Sequence, residues 1–149
     1  MTELRGQCLC GAVTVTATPE RSALAACHCE MCQRWGSGPF LSFQAAQGYA
    51  ALGPVKTYQS SSWAERAFCG QCGSSLWYRM TGPGSHQGQT QMSAGLFENA
   101  GEASLKLEIY VDKKPGGYGF DSNCRKMTEA DVIDAFAPAP VPAPVEDSQ

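Results

Sequence analysis

The chain has 149 residues, a formal net charge of −3 and 43% hydrophobic residues, which is the size of one ordinary domain with enough apolar content for a buried core. The acidic balance leaves no electrostatic footprint for nucleic acid, and no apolar run approaches the roughly 18 residues of a membrane-spanning helix. The opening residues Met1 to Gly6 lack the apolar stretch of a secretory signal, so the expected location is cytoplasmic, where thiols stay reduced.

In chain order the local signals are mostly those of short strands. Residues Ala12 to Ala17 alternate, with Val13 and Val15 on one face, as a half-buried strand requires. Ala23 to Cys27 is a short apolar run, followed by Glu30 to Trp35, which contains no helix breaker and fits a turn or two of helix. Phe40 to Phe43 is a third strand, and Thr57 to Gln59 is expected to pair near Ala67 and Phe68. Ser75 to Met80 reads as a strand that runs into the loop Thr81 to Gly88. Thr90 to Ala94 and Ser104 to Val111 are two more. A helix over Glu129 to Phe136 is capped by Thr128, carries Glu129 and Asp131 in its first turn, and spaces Val132, Ile133 and Phe136 helically. Short strands broken by glycine-rich turns point to a small sandwich or partly open barrel. The domain is expected to span 1–136, followed by a flexible Ala/Pro-rich tail, 137–149, whose composition cannot bury a core.

The chemistry lies in the eight cysteines, at positions 8, 10, 27, 29, 32, 69, 72 and 124. Disulfide scaffolds scatter their cysteines, whereas seven of these stand one or two residues apart in three clusters. Such spacing sets thiolates side by side, within reach of one ion. Cys8 and Cys10 together with Cys69 and Cys72 supply four thiolates, the closed tetrahedral set of a structural zinc site. Cys27, Cys29 and Cys32 number three, which is the count of a catalytic zinc that leaves its fourth position to water or substrate. His28 lies between two of these ligands, so its ring should turn away into a supporting or packing role, the less favoured alternative being that it completes the second site as a ligand. Cys124 is either a fourth ligand of that cluster or a lone thiol. A dithiol redox role for Cys69 and Cys72 fits poorly, because that motif favours a helix start in a βαβ setting.

The clusters and their flanks resemble the glutathione-dependent formaldehyde-activating enzymes. The resemblance runs through Gly6-Gln7-Cys8-Leu9-Cys10-Gly11, Cys27-His28-Cys29-Glu30-Met31-Cys32-Gln33-Arg34 and Arg66-Ala67-Phe68-Cys69-Gly70-Gln71-Cys72-Gly73, and covers about Gly6 to Asp121. It implies a mostly β, β-tent-like domain of short antiparallel strands with two zinc ions, one structural and one catalytic. It also implies a carbon–sulfur lyase that interconverts glutathione and formaldehyde with S-hydroxymethylglutathione. Zinc lowers the pKa of a bound thiol, so activation of the substrate thiol is the favoured role for the three-cysteine site. The two carboxylates of glutathione call for guanidinium partners, for which Arg34 and Arg66 are the candidates, either there or in ordinary ion pairs. Trp35, Phe40, Trp63 and Trp77 are candidate pocket walls. The competing reading is a zinc-binding module or adduct carrier with both ions structural.

Overall fold

The computed structural model describes residues 1–138. Eleven strands alternate with short helices: β1 (Leu4–Gln7), β2 (Thr14–Ala17), β3 (Ala23–Cys27), α1 (Glu30–Gly36), β4 (Phe40–Ala45), β5 (Ala50–Leu52), β6 (Val55–Ser61), β7 (Ala64–Cys69), β8 (Ser75–Met80), β9 (Thr90–Ser93), β10 (Ser104–Ile109), β11 (Arg125–Met127) and α2 (Glu129–Phe136). Two short 3-10 segments follow β9 and one follows β10. Among the described residues no helix is long and apolar enough to cross a membrane. The expected tail falls, from residue 139 on, outside the described residues.

Two sheets result. A three-stranded sheet is ordered β1-β2-β5, and an eight-stranded sheet β11-β10-β3-β4-β9-β8-β7-β6. Pairing is antiparallel except at β10, which runs parallel to both β3 and β11. Parallel neighbours need long crossovers, and the chain supplies them between β3 and β10 and over residues 110–124. The fold is mostly β with a short C-terminal helix, as expected. β1, β5 and β11 had too little alternation or apolar content to be legible, and their partners hold them.

The period of two along each strand divides the large sheet into two working faces. Val13, Val15 and Ala17 of the small sheet pack on Phe43, Ala67, Trp77 and Met92, forming the main apolar core. On the opposite face Cys27, Ser42, Arg66, Tyr78, Gln91 and Leu107 line a cavity. Their chain neighbours Ala26, Phe43, Ala67, Trp77, Met92 and Glu108 are all buried on the other side. Trp77 therefore belongs to the core, edge-on to Tyr49 at 5.4 Å, and does not wall the cavity.

Helix α2 closes one side of that cavity. Thr128 accepts from the Asp131 amide at 3.2 Å, while the Asp131 carboxylate accepts from the Thr128 amide at 2.9 Å, a complete capping box. Glu129 adds an amide bond to Asp112 at 2.8 Å and an ion pair with Lys113 at 3.2 Å. Val132 and Phe136, one turn apart, reach the cavity. Ile133, expected on the same apolar face, is 46% exposed, because residues one position apart on a helix point about 100° apart. Thr128→Ala should cost about 1 kcal/mol, a fall of about 2–4 °C in Tm for a domain of this size. Thermal unfolding and faster amide exchange confined to α2 would check it.

Candidate functional site

The four-cysteine cluster joins two turns that lie about sixty residues apart in the chain. At the first, the Cys8 amide donates to the Val13 carbonyl at 3.0 Å, and the Val13 amide donates back to Cys8 Sγ at 3.3 Å. At the second, the amides of Gln71 and Cys72 each donate to Cys69 Sγ at 3.4 Å. Gly11 and Gly73 complete the two turns at the same φ of +78°, a backbone that L side chains rarely adopt. Ser74 ties the turns together: its Oγ accepts from the Leu9 amide at 3.0 Å and lies 3.2 Å from Cys72 Sγ. Its hydrogen bond pulls the Cys72 thiol down to about 5.

The sulfur spacing tests whether this cluster fits a metal. Cys10 Sγ lies 3.6 Å from Cys8 Sγ and 3.9 Å from Cys69 Sγ, and all four sulfurs lie within 4.8 Å of one another. Four thiolates about 2.3 Å from a central zinc would form a tetrahedron with edges of about 3.8 Å. The donor set and its edges fit. Cys8 and Cys69 are buried while Cys10 is exposed, so the cluster sits at the edge of the core.

The second cluster stands where β3 meets α1. Cys27 ends the strand, Cys29 is the N-cap of the helix and accepts from the Cys32 amide at 3.3 Å, and Cys32 lies one turn on. The three sulfurs lie within 4.8 Å of one another. Hydrogen bonding with Cys27 and then Cys32 holds Cys29 far below the ordinary thiol range, and the same contacts push Cys27 up. Crowded thiols oppose one another's ionisation, and a cation at their centre would lift that restriction. Cys124 is not part of this group among the described residues: it donates instead to Glu108 Oε2 at 3.2 Å.

His28 points away from the cluster, onto the other face of the sheet. It is fully buried, with Nε2 2.9 Å from Glu108 Oε1 and Nδ1 3.2 Å from the Tyr118 hydroxyl. Tyr118 and Phe120, from the loop after β10, each stack within 5.9 Å of the ring. Gln33 anchors the same region, donating to the carbonyls of His28 at 2.8 Å and Lys113 at 3.0 Å. The backbone between Cys27 and Cys29 is clamped from behind. Glu108 was not legible as part of this clamp, since the alternation of Leu105, Leu107 and Ile109 assigns it to solvent. The loop over residues 114–124 covers it instead.

The two arginines part company. Arg34 lies on the outer side of α1, its side chain 78% exposed and 3.8 Å from Glu30, away from the cavity. Arg66 is 5% exposed, between the rings of Trp35 and Tyr78 at 4.8 and 5.1 Å, and donates to Cys32 Sγ at 3.4 Å. Burial opposes its charge, but Cys32 and Cys29 outweigh burial and keep it cationic. Its buried Nε has no partner among the described residues.

The cavity beside the three cysteines measures about 160 Å³. Phe40, Trp63, Met80, Ile109, Val132 and Phe136 supply much of its wall, and Arg66 is its one charged lining residue among the described residues. Trp35 lies behind Arg66, against Phe40 at 5.2 Å, and faces a neighbouring hollow. Burial, offset in part by Arg66, raises Tyr78 above the ordinary phenol range, and burial raises Tyr110 to about 12. Both remain neutral O–H donors at neutral pH.

Comparison with known proteins agrees with this arrangement. The sequence model of the family described as glutathione-dependent formaldehyde-activating enzyme matches residues 3–113. A Schizosaccharomyces pombe protein named an uncharacterized lyase is 33% identical over 135 residues, covering 89% of this chain and 96% of its own length. A crystal structure of a Rhodobacter sphaeroides protein has the same fold, with a TM-score of 0.54 at 17% identity, covering 84% of this chain and all of that one.

Glu108 provides a test of the clamp. Burial opposes its charge, but bonds from Cys124 and His28 and the charge of Lys126, 3.6 Å away, hold the carboxyl below its ordinary value of 4.5. A depressed native pKa contributes stability above the unfolded value that is lost as pH falls through the native one. Glu108→Ala should therefore cost about 2–3 kcal/mol near neutrality, by leaving buried His28 Nε2 without its partner and removing the acceptor of half-buried Cys124. The difference from wild type should shrink below pH 4.5, as chemical unfolding at a series of pH values would record.

Proposed function

The chain belongs to the glutathione-dependent formaldehyde-activating enzyme family, and on that ground we propose that it is a zinc-dependent carbon–sulfur lyase. In this reading it joins a small thiol such as glutathione to an aldehyde such as formaldehyde, and reverses the step, beside Cys27, Cys29 and Cys32. Cys8, Cys10, Cys69 and Cys72 hold a structural zinc that ties the N-terminal hairpin to the large sheet. The observation that carries the reading is the ligand count. Three thiols converge on the wall of the described cavity, and none of the four thiols of the other cluster lines it.

The reaction is redox-neutral and needs no oxidant or reductant. The thiol sulfur forms a bond to the carbonyl carbon, the carbonyl π pair moves to oxygen, and the thiol proton ends on that oxygen. Cys27, Cys29 and Cys32 would hold the zinc, which when bound would make a neighbouring thiol easier to deprotonate near neutral pH. Arg66 offsets the negative charge that collects on this side of the cavity through its bond to Cys32 Sγ. Its unpartnered Nε supports a second role, meeting a substrate carboxylate. Tyr78 and Tyr110 present hydroxyls that stay protonated and so can donate to an aldehyde oxygen. The apolar walls exclude water from the adduct, which strengthens each of these contacts.

Replacing one ligand in each cluster separates the two roles. Cys69→Ser should leave the protein unfolded or aggregated, because metal binding there contributes folding free energy. Cys29→Ala should keep the circular dichroism of wild type and lose one of two zinc ions by metal analysis. Should Cys29→Ala unfold as Cys69→Ser does, the alternative of two structural ions is favoured.

Glutathione binding measured by calorimetry in two buffers should release a proton, and S-methylglutathione should bind more weakly, since a thioether is a poor zinc ligand. Arg66→Gln, with folding checked by circular dichroism, should weaken glutathione by about tenfold or more through loss of a charge-assisted hydrogen bond. Equal affinities for the thiol and the thioether, with no proton release, would exclude thiol coordination.

A further inference from the structure

The cavity is poorly matched to formaldehyde, and the mismatch points to a substrate class. Formaldehyde has one carbon and offers nothing for an apolar wall to cover. Glutathione is charged at both ends, yet the described lining holds one cation, Arg66, and no carboxylate. Apart from the one carboxylate that Arg66 can meet, the charged groups of such a thiol therefore face the opening, and the apolar space beside the cysteines is left to whatever its sulfur carries. Phe40, Trp63, Met80, Leu107, Val132 and Phe136 bound that space. Polar groups there are partly spoken for, since Ser42 donates to Gln91 Oε1 at 3.2 Å.

Two of the bounding residues come from α2, which lies beyond residues 3–113, the part shared with the family. This wall is built in place. The capping box fixes the helix start, Asp112 and Lys113 pin Glu129, and Phe136 stands edge-on to His86 at 5.3 Å. An apolar wall that is anchored this firmly and faces the three cysteines is suited to a ligand with apolar surface of its own.

We propose that the site handles thiol adducts of aldehydes bearing a hydrophobic substituent of several carbons, with that substituent seated between β10 and α2. The step is the same as for the smaller aldehyde: a carbon–sulfur bond forms, and the thiol proton passes to the carbonyl oxygen. The inference rests on the proposed thiol–aldehyde chemistry and narrows its electrophile.

The zinc-loaded full chain tests it by calorimetry with S-hexylglutathione and S-methylglutathione, two thioethers that differ only in their apolar arm. Burial of the added methylenes should make the hexyl compound bind at least about tenfold more tightly. Phe136→Ala should bring the ratio of the two affinities toward one, and Leu107→Ala serves the same purpose if the first variant disturbs α2. A second pair, 1-hexanethiol and ethanethiol, removes glutathione from the comparison. Equal or weaker binding of the hexyl member in both pairs, with glutathione itself still bound, overturns the inference and leaves the thiol–aldehyde reading standing. A hexyl preference confined to the simple thiols, with glutathione unbound, upholds the apolar subsite and overturns glutathione as the thiol.

Discussion

Neighbouring residues on a strand face opposite ways, and in the eight-stranded sheet neither face is surrendered to solvent over its central strands. One side supports the small sheet through Phe43, Ala67, Trp77 and Met92, while the other carries the cavity through Ser42, Arg66, Tyr78 and Gln91. A single-residue slip in the register of β4, β7, β8 or β9 would exchange these sets. Charged Arg66 would enter the core and aromatic Trp77 would enter the cavity. Packing of the core and placement of the site are therefore one constraint. The buried core face keeps the registers, and the registers aim the functional side chains.

Within that frame the two cysteine clusters differ in their surroundings. The four-thiol cluster is laced by backbone amides and by Ser74, and Cys10 Sγ already stands at tetrahedral edge lengths from Cys8 and Cys69. The three-thiol cluster has a buried guanidinium on one side and a cavity beside it. Sulfur atoms this close repel as thiolates, so each cluster is arranged around the expectation of positive charge. Arg66 supplies part of it at the second, and its own desolvation is tolerated because Cys32 and Cys29 favour its cationic form.

Behind the three cysteines, the clamp of His28, Glu108, Tyr118 and Cys124 gives the sheet's second face a purpose at its β10 end. A ring buried among one acid, one phenol and two aromatic faces has little freedom to rotate. The backbone on either side of it is correspondingly held. The elements that finish the site, the loop over 114–124 and α2, both lie beyond the family's matched region. The matched part holds both cysteine clusters and most of the cavity lining, to which α2 adds Val132 and Phe136.

Residue spacing alone sorted seven cysteines into three clusters, because thiols one or two residues apart lie side by side in many folds; the meeting of Cys8 and Cys10 with Cys69 and Cys72 is made by the tertiary structure. Spacing also marked β3, β8, α1 and α2, and turned His28 away from its neighbours, since adjacent side chains diverge. Several features were decided only by tertiary structure. Arg34 and Arg66 both flank cysteine clusters in sequence, but the helix carries one into solvent and the strand buries the other. Trp77 and Tyr78 are adjacent aromatics of equal local signal, and the pleat sends one to the core and one to the cavity. Glu108 alternates with leucine and isoleucine as an exposed residue would; a loop arriving from later in the chain buries it. In each case the deciding contact comes from residues distant in sequence, and neither local pattern nor local propensity carries that information.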